Sequence, residues 1–342
     1  MNTQKVNTLA HPGGGVGRFL TKYFKDNGAI LIGLVAIMFL LQVLTAGSID
    51  LTQGLFFKQK NLLNVLRQVS INANLACAMT LVIILGGIDI SVGSVIALSG
   101  VVTGGLIAFN GWAVAPAVLM GVLVGVLFGA FNGFLISTTP LPPFIVTLST
   151  MNIARGVAYV YTGGSPIRVM SDEFNFIGSG YLGPIPMPVI YSAVFIAFTA
   201  YILNRTKLGR HIYAVGGNRE AARFAGINTR RILFFAYTYS GLMAGISGVV
   251  LASRMFSGQP TAGDGQEMEA IAATVLGGTS MLGGQGAMGG TVIGVLIMGV
   301  LSNGLNLLGI NSFWQYVVKG AVILLAVYVD VIKKRTRKIK VA

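Results

Sequence analysis

Long apolar runs, separated by short polar segments, dominate the pattern of this 342-residue chain. A helix needs about 20 mostly apolar residues to cross the hydrocarbon core of a bilayer. Seven runs stand out clearly. They predict membrane-spanning helices at residues 28–46, 92–109, 112–136, 189–203, 232–251, 291–308 and 313–332.

Three further runs carry polar or glycine interruptions: residues 71–85 with two asparagines, 144–161 with one arginine, and 270–282 with a Gly-Gly pair. With them, we expect an all-α, polytopic transmembrane bundle of about ten crossings, with eight as the alternative. Residues 61–70, whose apolar side chains share one helical face, predict an interfacial helix that leads into the second crossing.

The basic residues test the direction of these crossings. An even number of crossings with a cytoplasmic N-terminus places residues 1–27, 204–231 and 333–342 inside. These segments carry 17 of the 24 Lys and Arg residues, and the outside segments carry six of the ten acids, including Glu267 and Glu269. The positive-inside rule is therefore satisfied. We expect one membrane domain over residues 28–332, flanked by a flexible N-terminal tail with a basic amphipathic piece and by a basic C-terminal tail, both cytoplasmic.

Composition narrows the class of protein. The chain is 54% hydrophobic and 10% charged, against roughly 25% charged for a soluble domain, which excludes a soluble globular enzyme. The net charge of +14 therefore indicates membrane orientation, and no nucleic-acid partner is expected. The single cysteine, Cys77, forms no internal disulfide, and His11 and His211 lie far apart, so no metal site is expected.

Glycines recur every four residues in two predicted helices, over residues 121–133 and 286–294. Such stripes allow helix backbones to approach closely. They indicate either simple structural packing or a tightly packed core around a pathway.

Two glycine-rich interruptions occur in the two halves of the chain. The first, residues 86–94, contains Asp89, the only ionisable residue between Arg67 and Arg155, and the second covers residues 276–284. Paired interruptions mark translocation paths in transporters, and intramembrane ionisable residues face a protein interior or a water-filled cavity. The alternative is two simple loops at the membrane face, with Asp89 capping the next helix. The candidate pathway or gate residues are Gly86, Gly87, Asp89, Ser91, Arg155, Gly277 and Gly278.

The inside loop over residues 204–231 contains a segment with complete helix start and stop signals. Asn218 suits an N-cap, Glu220 suits the first turn, and Gly226 suits the C-terminal end. The segment predicts a two-turn helix whose exposed Phe224 docks into a groove on another protein. The alternative is an ordinary interfacial connector. The candidate docking residues are Asn218, Arg219, Glu220, Ala221, Ala222, Arg223, Phe224 and Gly226.

Catalytic signatures are missing from the sequence. No Gly-Lys dipeptide occurs, which excludes a Walker A loop, so any ATP used in transport must be bound by another chain. No nucleophile–base pair or metal-ligand cluster is evident. We therefore expect no catalytic residue and no cofactor bound by this chain.

Several motifs carry a resemblance to a known family, within a match from about residue 61 to residue 330. In them the chain resembles the permease subunits of bacterial ABC importers for simple sugars, and the ribose-transporting members most closely. The motifs are residues 86–94, 163–166, 206–210, 216–227, 259–263, 270–273 with 276–280, and 303–309.

The resemblance implies the ABC importer permease fold and a homodimer in the bacterial inner membrane. It also implies separate ATPase subunits that use ATP and Mg inside, and a soluble sugar-binding protein outside. By the same resemblance, residues 218–226 look like the coupling helix that meets the ATPase.

Two classes of transporter remain in competition. The leading hypothesis is a non-enzymatic sugar pathway opened by a partner ATPase. The runner-up is a secondary transporter driven by an ion gradient, with Asp89 or Arg155 as the ion-linked group. A membrane enzyme is third. The sequence leaves the sugar open among pentoses, hexoses and cyclic polyols.

Overall fold

The computed structural model describes residues 15–46 and 53–339 of the chain, which are mostly helical. The all-α prediction is confirmed, with two short antiparallel strand pairs added. The helices are α1 (Gly15–Ala46), α2 (Gln59–Ile84), α3 (Val92–Ala108), α4 (Val114–Thr138), α5 (Pro143–Thr162), α6 (Asp172–Ser179), α7 (Met187–Arg205), α8 (Lys207–Gly217), α9 (Arg219–Phe224), α10 (Thr229–Arg254), α11 (Gln266–Leu276), α12 (Met288–Leu307) and α13 (Ser312–Ile339). The strands are β1 (Ile167–Arg168), β2 (Tyr181–Leu182), β3 (Ile185–Pro186) and β4 (Ser257–Gly258).

Each of the ten predicted crossing segments overlaps a helix. Five helices of the described part, α2, α4, α7, α10 and α12, are long and apolar enough to span a membrane. Shorter apolar helical stretches cover residues 30–46, 92–108 and 312–325. The structure thus contains several membrane-type helices, and the exact number of crossings stays a prediction.

Helix boundaries differ from the prediction at two places. Helix α1 begins at Gly15, inside the expected N-terminal tail, and α13 continues to Ile339 through most of the expected C-terminal tail. The predicted helix at residues 61–70 is present and continues without a break into the second crossing as the first turns of α2; its interfacial position stays a prediction. Asn61 is buried there and exchanges hydrogen bonds of 2.9 and 3.0 Å with Asn303 of α12. Residues 1–14 lie outside the described residues.

Helix α11 is only 11 residues long, or about 16 Å at 1.5 Å per residue, which is roughly half of a crossing. It includes Glu267 and Glu269, which the charge pattern placed in an outside loop. Instead Glu267 is buried, and Glu269 pairs with Lys319 of α13 and accepts a hydrogen bond from Asn72 of α2. That placement was wrong because hydropathy does not reveal acids that are paired between helices.

Glycine contacts set the packing of the longest helices. A Cβ added at Gly125 or Gly129 of α4 would collide with the backbone of α10 at Gly241. A Cβ added at Gly294 of α12 would likewise collide with the carbonyl of Ala273 in α11. The prediction that the stripes bring backbones together is therefore confirmed.

The contacts at the helix termini define two ends of the molecule. Strands β1 and β4 pair antiparallel and join the C-terminal ends of α5 and α10; we call this the β end. At the other end, Thr147 near the start of α5 donates to the carbonyl of Ile88 at 3.3 Å. Helices α8 and α9 pack against the N-terminal part of α10 there. We call this the α9 end.

Candidate functional site

Helix α9 forms where the local signals predict it. The Oδ1 atom of Asn218 accepts a hydrogen bond from the backbone N–H of Ala221 at 2.9 Å. Gly226 ends the helix with φ = +82°, a left-handed conformation that glycine adopts without strain. Its N–H donates to the carbonyl of Arg223 at 3.0 Å.

The side chains of α9 point outward with one exception. Ala222 is buried, whereas Glu220 and Arg223 are exposed and Phe224 is 90% exposed. An aromatic ring left this open on a two-turn helix makes little contribution to the fold of this chain. The geometry therefore fits a docking element with a basic and aromatic surface.

Helix α8, which hydropathy did not predict, connects α9 to the rest of the chain. Its buried face contains Ile212 and Val215. The Tyr213 hydroxyl donates to the carbonyl of Gly286 at 2.8 Å. Burial raises the pKa of Tyr213 above its ordinary value, so the hydroxyl stays protonated and remains a donor. Gly216 lies so close to the carbonyl of Ile84 that a Cβ there would collide with it.

The two glycine-rich interruptions lie side by side at the α9 end. They are the breaks at residues 85–91, between α2 and α3, and 277–287, between α11 and α12. The N–H of Gly284 in the second break donates to the carbonyl of Ile84 at the end of α2, at 2.8 Å. The left-handed glycines of the two breaks are Gly86, Gly278, Gly283 and Gly284. Gly216 of α8 also lies against Gly284, so α8 is in contact with the second break and with the end of α2 that begins the first.

Gly87 and Gly277 are held by close packing. A Cβ on Gly87 would overlap the hydroxyl of Tyr237 in α10, and a Cβ on Gly277 would overlap the backbone of Gly290 in α12. Gly87 and Gly277 are thus packed in the protein interior, whereas Gly86, Gly278 and Leu282 of the same breaks are exposed.

Asp89 is 1% exposed and caps the start of α3. Its Oδ1 atom accepts from the backbone N–H of Ser91 at 3.0 Å and from the Ser91 hydroxyl at 2.6 Å. Asn132 of α4 donates to the same hydroxyl at 3.0 Å. The geometry matches the capping alternative, and Asp89 lines no open space in this conformation.

Arg155 lies near the middle of α5 and is half-buried. Its Nη1 atom donates to the carbonyls of Pro260 and Ala262 at 2.7 and 2.8 Å. It thereby holds the irregular segment over residues 259–265, whose backbone carbonyls need partners away from water.

Helix α5 also has one uncovered face. Thr150 and Ala154 face the protein, whereas Ser149, Asn152 and Gly156 are exposed at helical spacing. The two polar side chains bond back to carbonyls of their own helix. Polar groups on a membrane helix favour a water-filled cavity or another chain over lipid.

The family model and the relatives identify the chain as a membrane permease component of an ABC-type transport system. The chain belongs to the family described as branched-chain amino acid transport system / permease component, whose model matches residues 61–327. The resemblance drawn from the motifs is confirmed at the level of the family.

Three relatives show the extent of the similarity. The ribose import permease protein RbsC of Bacillus subtilis is 46% identical over 277 residues, covering 80% of this chain and 86% of the relative. RbsC of Escherichia coli K12 is 43% identical over 318 residues, covering 92% and 96%. The xylose transport system permease protein XylH of Escherichia coli K12 is 34% identical, covering 83% and 88%.

A solved structure agrees with the fold. It is described as an inward-facing conformation of a metal-chelate type ABC transporter and gives a TM-score of 0.53 at 14% identity. The match covers 88% of this chain and 99% of that chain. At this level of identity, the similarity concerns the fold alone.

Sequence reasoning missed α8 and with it Tyr213, because a search for long apolar runs passes over an 11-residue helix. That reasoning included Gly216 in the motif over residues 216–227 but gave it no role. The apolar positions Leu208, Ile212 and Val215 recur at helical spacing, a signal that predicts α8 when short amphipathic helices are sought.

Proposed function

We propose that the chain is the permease subunit of an ATP-driven importer for a ribose-like monosaccharide in the bacterial inner membrane. The observation that carries this proposal is α9, an outward-facing helix joined through α8 to both chain breaks. The names of the relatives supply the class of substrate. A separate ABC-type ATPase, using ATP and Mg, supplies the energy.

The α9 end then lies in the cytoplasm, with both termini on the same side and about ten crossings between them. The basic loop over residues 204–231 meets the ATPase through α9. The membrane domain covers residues 28–332, and residues 1–27 and 333–342 extend toward the cytoplasm.

The sugar passes between two copies of the chain along the uncovered face of α5. Ser149 and Asn152 offer hydrogen-bonding groups without charge, which suits a neutral polyhydroxylated molecule. A soluble sugar-binding protein delivers the sugar at the β end. The second copy also covers a face that would otherwise place polar groups in lipid.

This proposal accounts for the two residues that the ion-gradient alternative required. Asp89 is buried beneath its hydrogen bonds to Ser91, and Arg155 is engaged with two backbone carbonyls. Neither lies among the uncovered polar residues of α5.

The proposal is tested by reconstitution in proteoliposomes with the partner ATPase and a sugar-binding protein. We expect ribose uptake only when ATP, the ATPase and the loaded binding protein are all present. Permease alone, given a sodium or proton gradient, serves as the control. Uptake by the permease alone contradicts the proposal and supports a secondary transporter.

A further inference from the structure

The carboxylate of Asp89 is buried without a positive partner. Among the described residues, the one ion pair joins Lys319 to Glu269, so no positive side chain is paired with Asp89. The other buried acid beside α3 is Glu267 of α11, which lies against Gly93. Burying an isolated charge costs much more than burying a neutral polar group, so such carboxyl groups neutralise instead. The Oδ1 atom is satisfied by Ser91, but the Oδ2 atom has no hydrogen-bond partner.

Unpartnered hydroxyl groups from α10 face this carboxylate. Tyr237 and Ser240 lie three residues apart on one helix face, and both interact electrostatically or by hydrogen bonding with Asp89. Both side chains are fully buried, and neither hydroxyl oxygen has a hydrogen-bond partner within bonding geometry among the described residues. A hydroxyl both donates and accepts, so these two groups can accept from a protonated Oδ2 as well as donate to an ionised one. The absence of a positive partner in this buried place is what favours the protonated form.

A cavity reaches this cluster from the α9 end. It has a volume of about 260 Å³ and is lined by Gly86, Gly87, Thr139, Arg219 and Tyr237, among others. A cavity with polar lining and this volume has room for several waters. Gly87 and Tyr237 line this cavity and Asp89 does not, so proton exchange with the α9 end needs a local movement of the break.

We propose that Asp89 is a proton-binding site: its protonated Oδ2 donates to a hydroxyl of α10, Ser240 or Tyr237, and fixes the first break to that helix. Asp89 is then a positioning residue for the break at residues 85–91. Loss of the proton leaves an uncompensated charge in the protein interior, and the break then draws water from the cavity to solvate it.

The charged and titratable groups facing Asp89 are few. Tyr237 of α10 is a neutral phenol, and Arg219 of α9 lies on the cavity side of Tyr237 and makes no ion pair with Asp89. From α3 and α4 the neighbours are the neutral Ser91 and Asn132. A water molecule can hydrogen-bond to the hydroxyls of Tyr237 and Ser240, but only a proton or a bound cation neutralises the negative charge of Asp89.

The test uses infrared spectroscopy of the permease with its ATPase in lipid nanodiscs at pH 7. An exposed aspartate is ionised there, because its ordinary pKa is about 3.9. We expect a carboxylic acid C=O band that is lost in Asp89→Asn and retained in the control Asp172→Asn, an acid on α6 outside this cluster. Ser240→Ala or Tyr237→Phe should shift the frequency of the band by removing a hydrogen-bond acceptor.

Two further measurements assign the band if Asp89→Asn fails to fold. Carbon-13 labelling of aspartate shows that the band belongs to an aspartic acid, and a change of its frequency in Ser240→Ala shows that this acid is Asp89. The absence of a protonated-acid band at pH 7 overturns the proposal. A second result also overturns the proposal: the thermal unfolding midpoint of the wild type is higher in sodium than in choline, whereas the midpoint of Asp89→Asn is the same in both. That result assigns a bound metal cation to Asp89 instead of a proton. The inference depends on the proposed function only where it assigns the break at residues 85–91 a role in transport; proton binding by Asp89 does not depend on it. A complex that shows the band but imports no sugar contradicts the transport proposal alone.

Discussion

At the scale of single residues, Asp89 shows how far sequence reasoning reaches. Its isolation among apolar residues predicts an internal position, and the structure places it at 1% exposure. The sequence left open a gate or a cap, because the two differ only in which residues approach from elsewhere. Asn132 and Tyr237, which decide the surroundings of Asp89, are 43 and 148 residues away in sequence.

Substitutions at Asp89 separate its hydrogen-bonding role from its charge. Asn keeps an acceptor for the Ser91 N–H and a donor on the other side, so Asp89→Asn should retain substantial transport. Leu leaves two donors of Ser91 without an acceptor, at a cost of about 1–3 kcal/mol for each, so Asp89→Leu should lose transport. Uptake is measured in proteoliposomes at equal permease content. Normal uptake by the leucine variant would show that the cap is dispensable, and an inactive asparagine variant would show that ionisation is required.

At the scale of helices, local signals predicted α9 but missed α8. The cap at Asn218 and the stop at Gly226 depend only on neighbouring residues, so they can be identified from the sequence. Helix α11 was predicted within a short apolar run over residues 270–282, broken by Gly277 and Gly278, and the sequence did not show whether the helix ends at that break. The left-handed Gly278 and the packing of Gly277 against Gly290 end the helix at Leu276, and that packing is a tertiary contact.

The docking role of α9 predicts a loss of coupling without loss of folding. Phe224 is 90% exposed and Glu220 is exposed, so Phe224→Ala and Glu220→Lys should leave the permease folded. We expect either variant to lose the ATPase on copurification, or to retain ATP hydrolysis while uptake falls about tenfold or more, the effect of a lost hot-spot contact. Phe109→Ala, at an exposed phenylalanine of the other end, is the control. Full uptake in both α9 variants refutes the assignment.

Two adjacent glycines of α8 provide a matched test of the link between α9 and the breaks. Gly216 packs against the carbonyl of Ile84, whereas a Cβ at Gly217 meets nothing within 4 Å. Gly216→Val should push α8 away from the breaks and uncouple hydrolysis from uptake, whereas Gly217→Val should leave both near wild type. Hydrolysis and uptake are measured on the same proteoliposomes. Equal behaviour of the two variants contradicts transmission through this contact.

At the scale of the whole molecule, apolar runs predicted the helices but could not show which ends meet. The contact between Ile84 and Gly284 spans 200 residues, and the pairing of Glu269 with Lys319 spans 50. Such contacts depend on the complete packing of the bundle. For the same reason, the charges of α11 were assigned to a loop although they lie between helices.

The proposed orientation predicts which end of the molecule reagents reach from outside the cell. The native Cys77 is buried and is replaced by Ala as a background. Leu182 in β2 and Phe224 in α9 are 66% and 90% exposed and are converted singly to Cys. A membrane-impermeant maleimide should label Leu182→Cys in spheroplasts, and Phe224→Cys only after lysis. Labelling of Phe224→Cys in intact spheroplasts would place α9 on the outer side.

The arrangement of the proposed pathway also predicts weak binding of sugar by the permease itself. The uncovered face of α5 offers Ser149 and Asn152, whose hydrogen-bonding groups are partly occupied by their own helix, and no charge. A monosaccharide there exchanges hydrogen bonds with water for hydrogen bonds of similar strength, so the net gain is small. Tight binding of sugar in the resting state would also not speed its passage. Such binding lowers the free energy of the bound sugar and the free energy of the barrier by the same amount, so the height of the barrier does not change. We expect calorimetry of the isolated permease with ribose to give a Kd weaker than about 1 mM, equivalent to about −4 kcal/mol. A micromolar Kd would show that selection occurs in the membrane, and the substrate specificity would then have to be sought in this chain instead of in the binding protein.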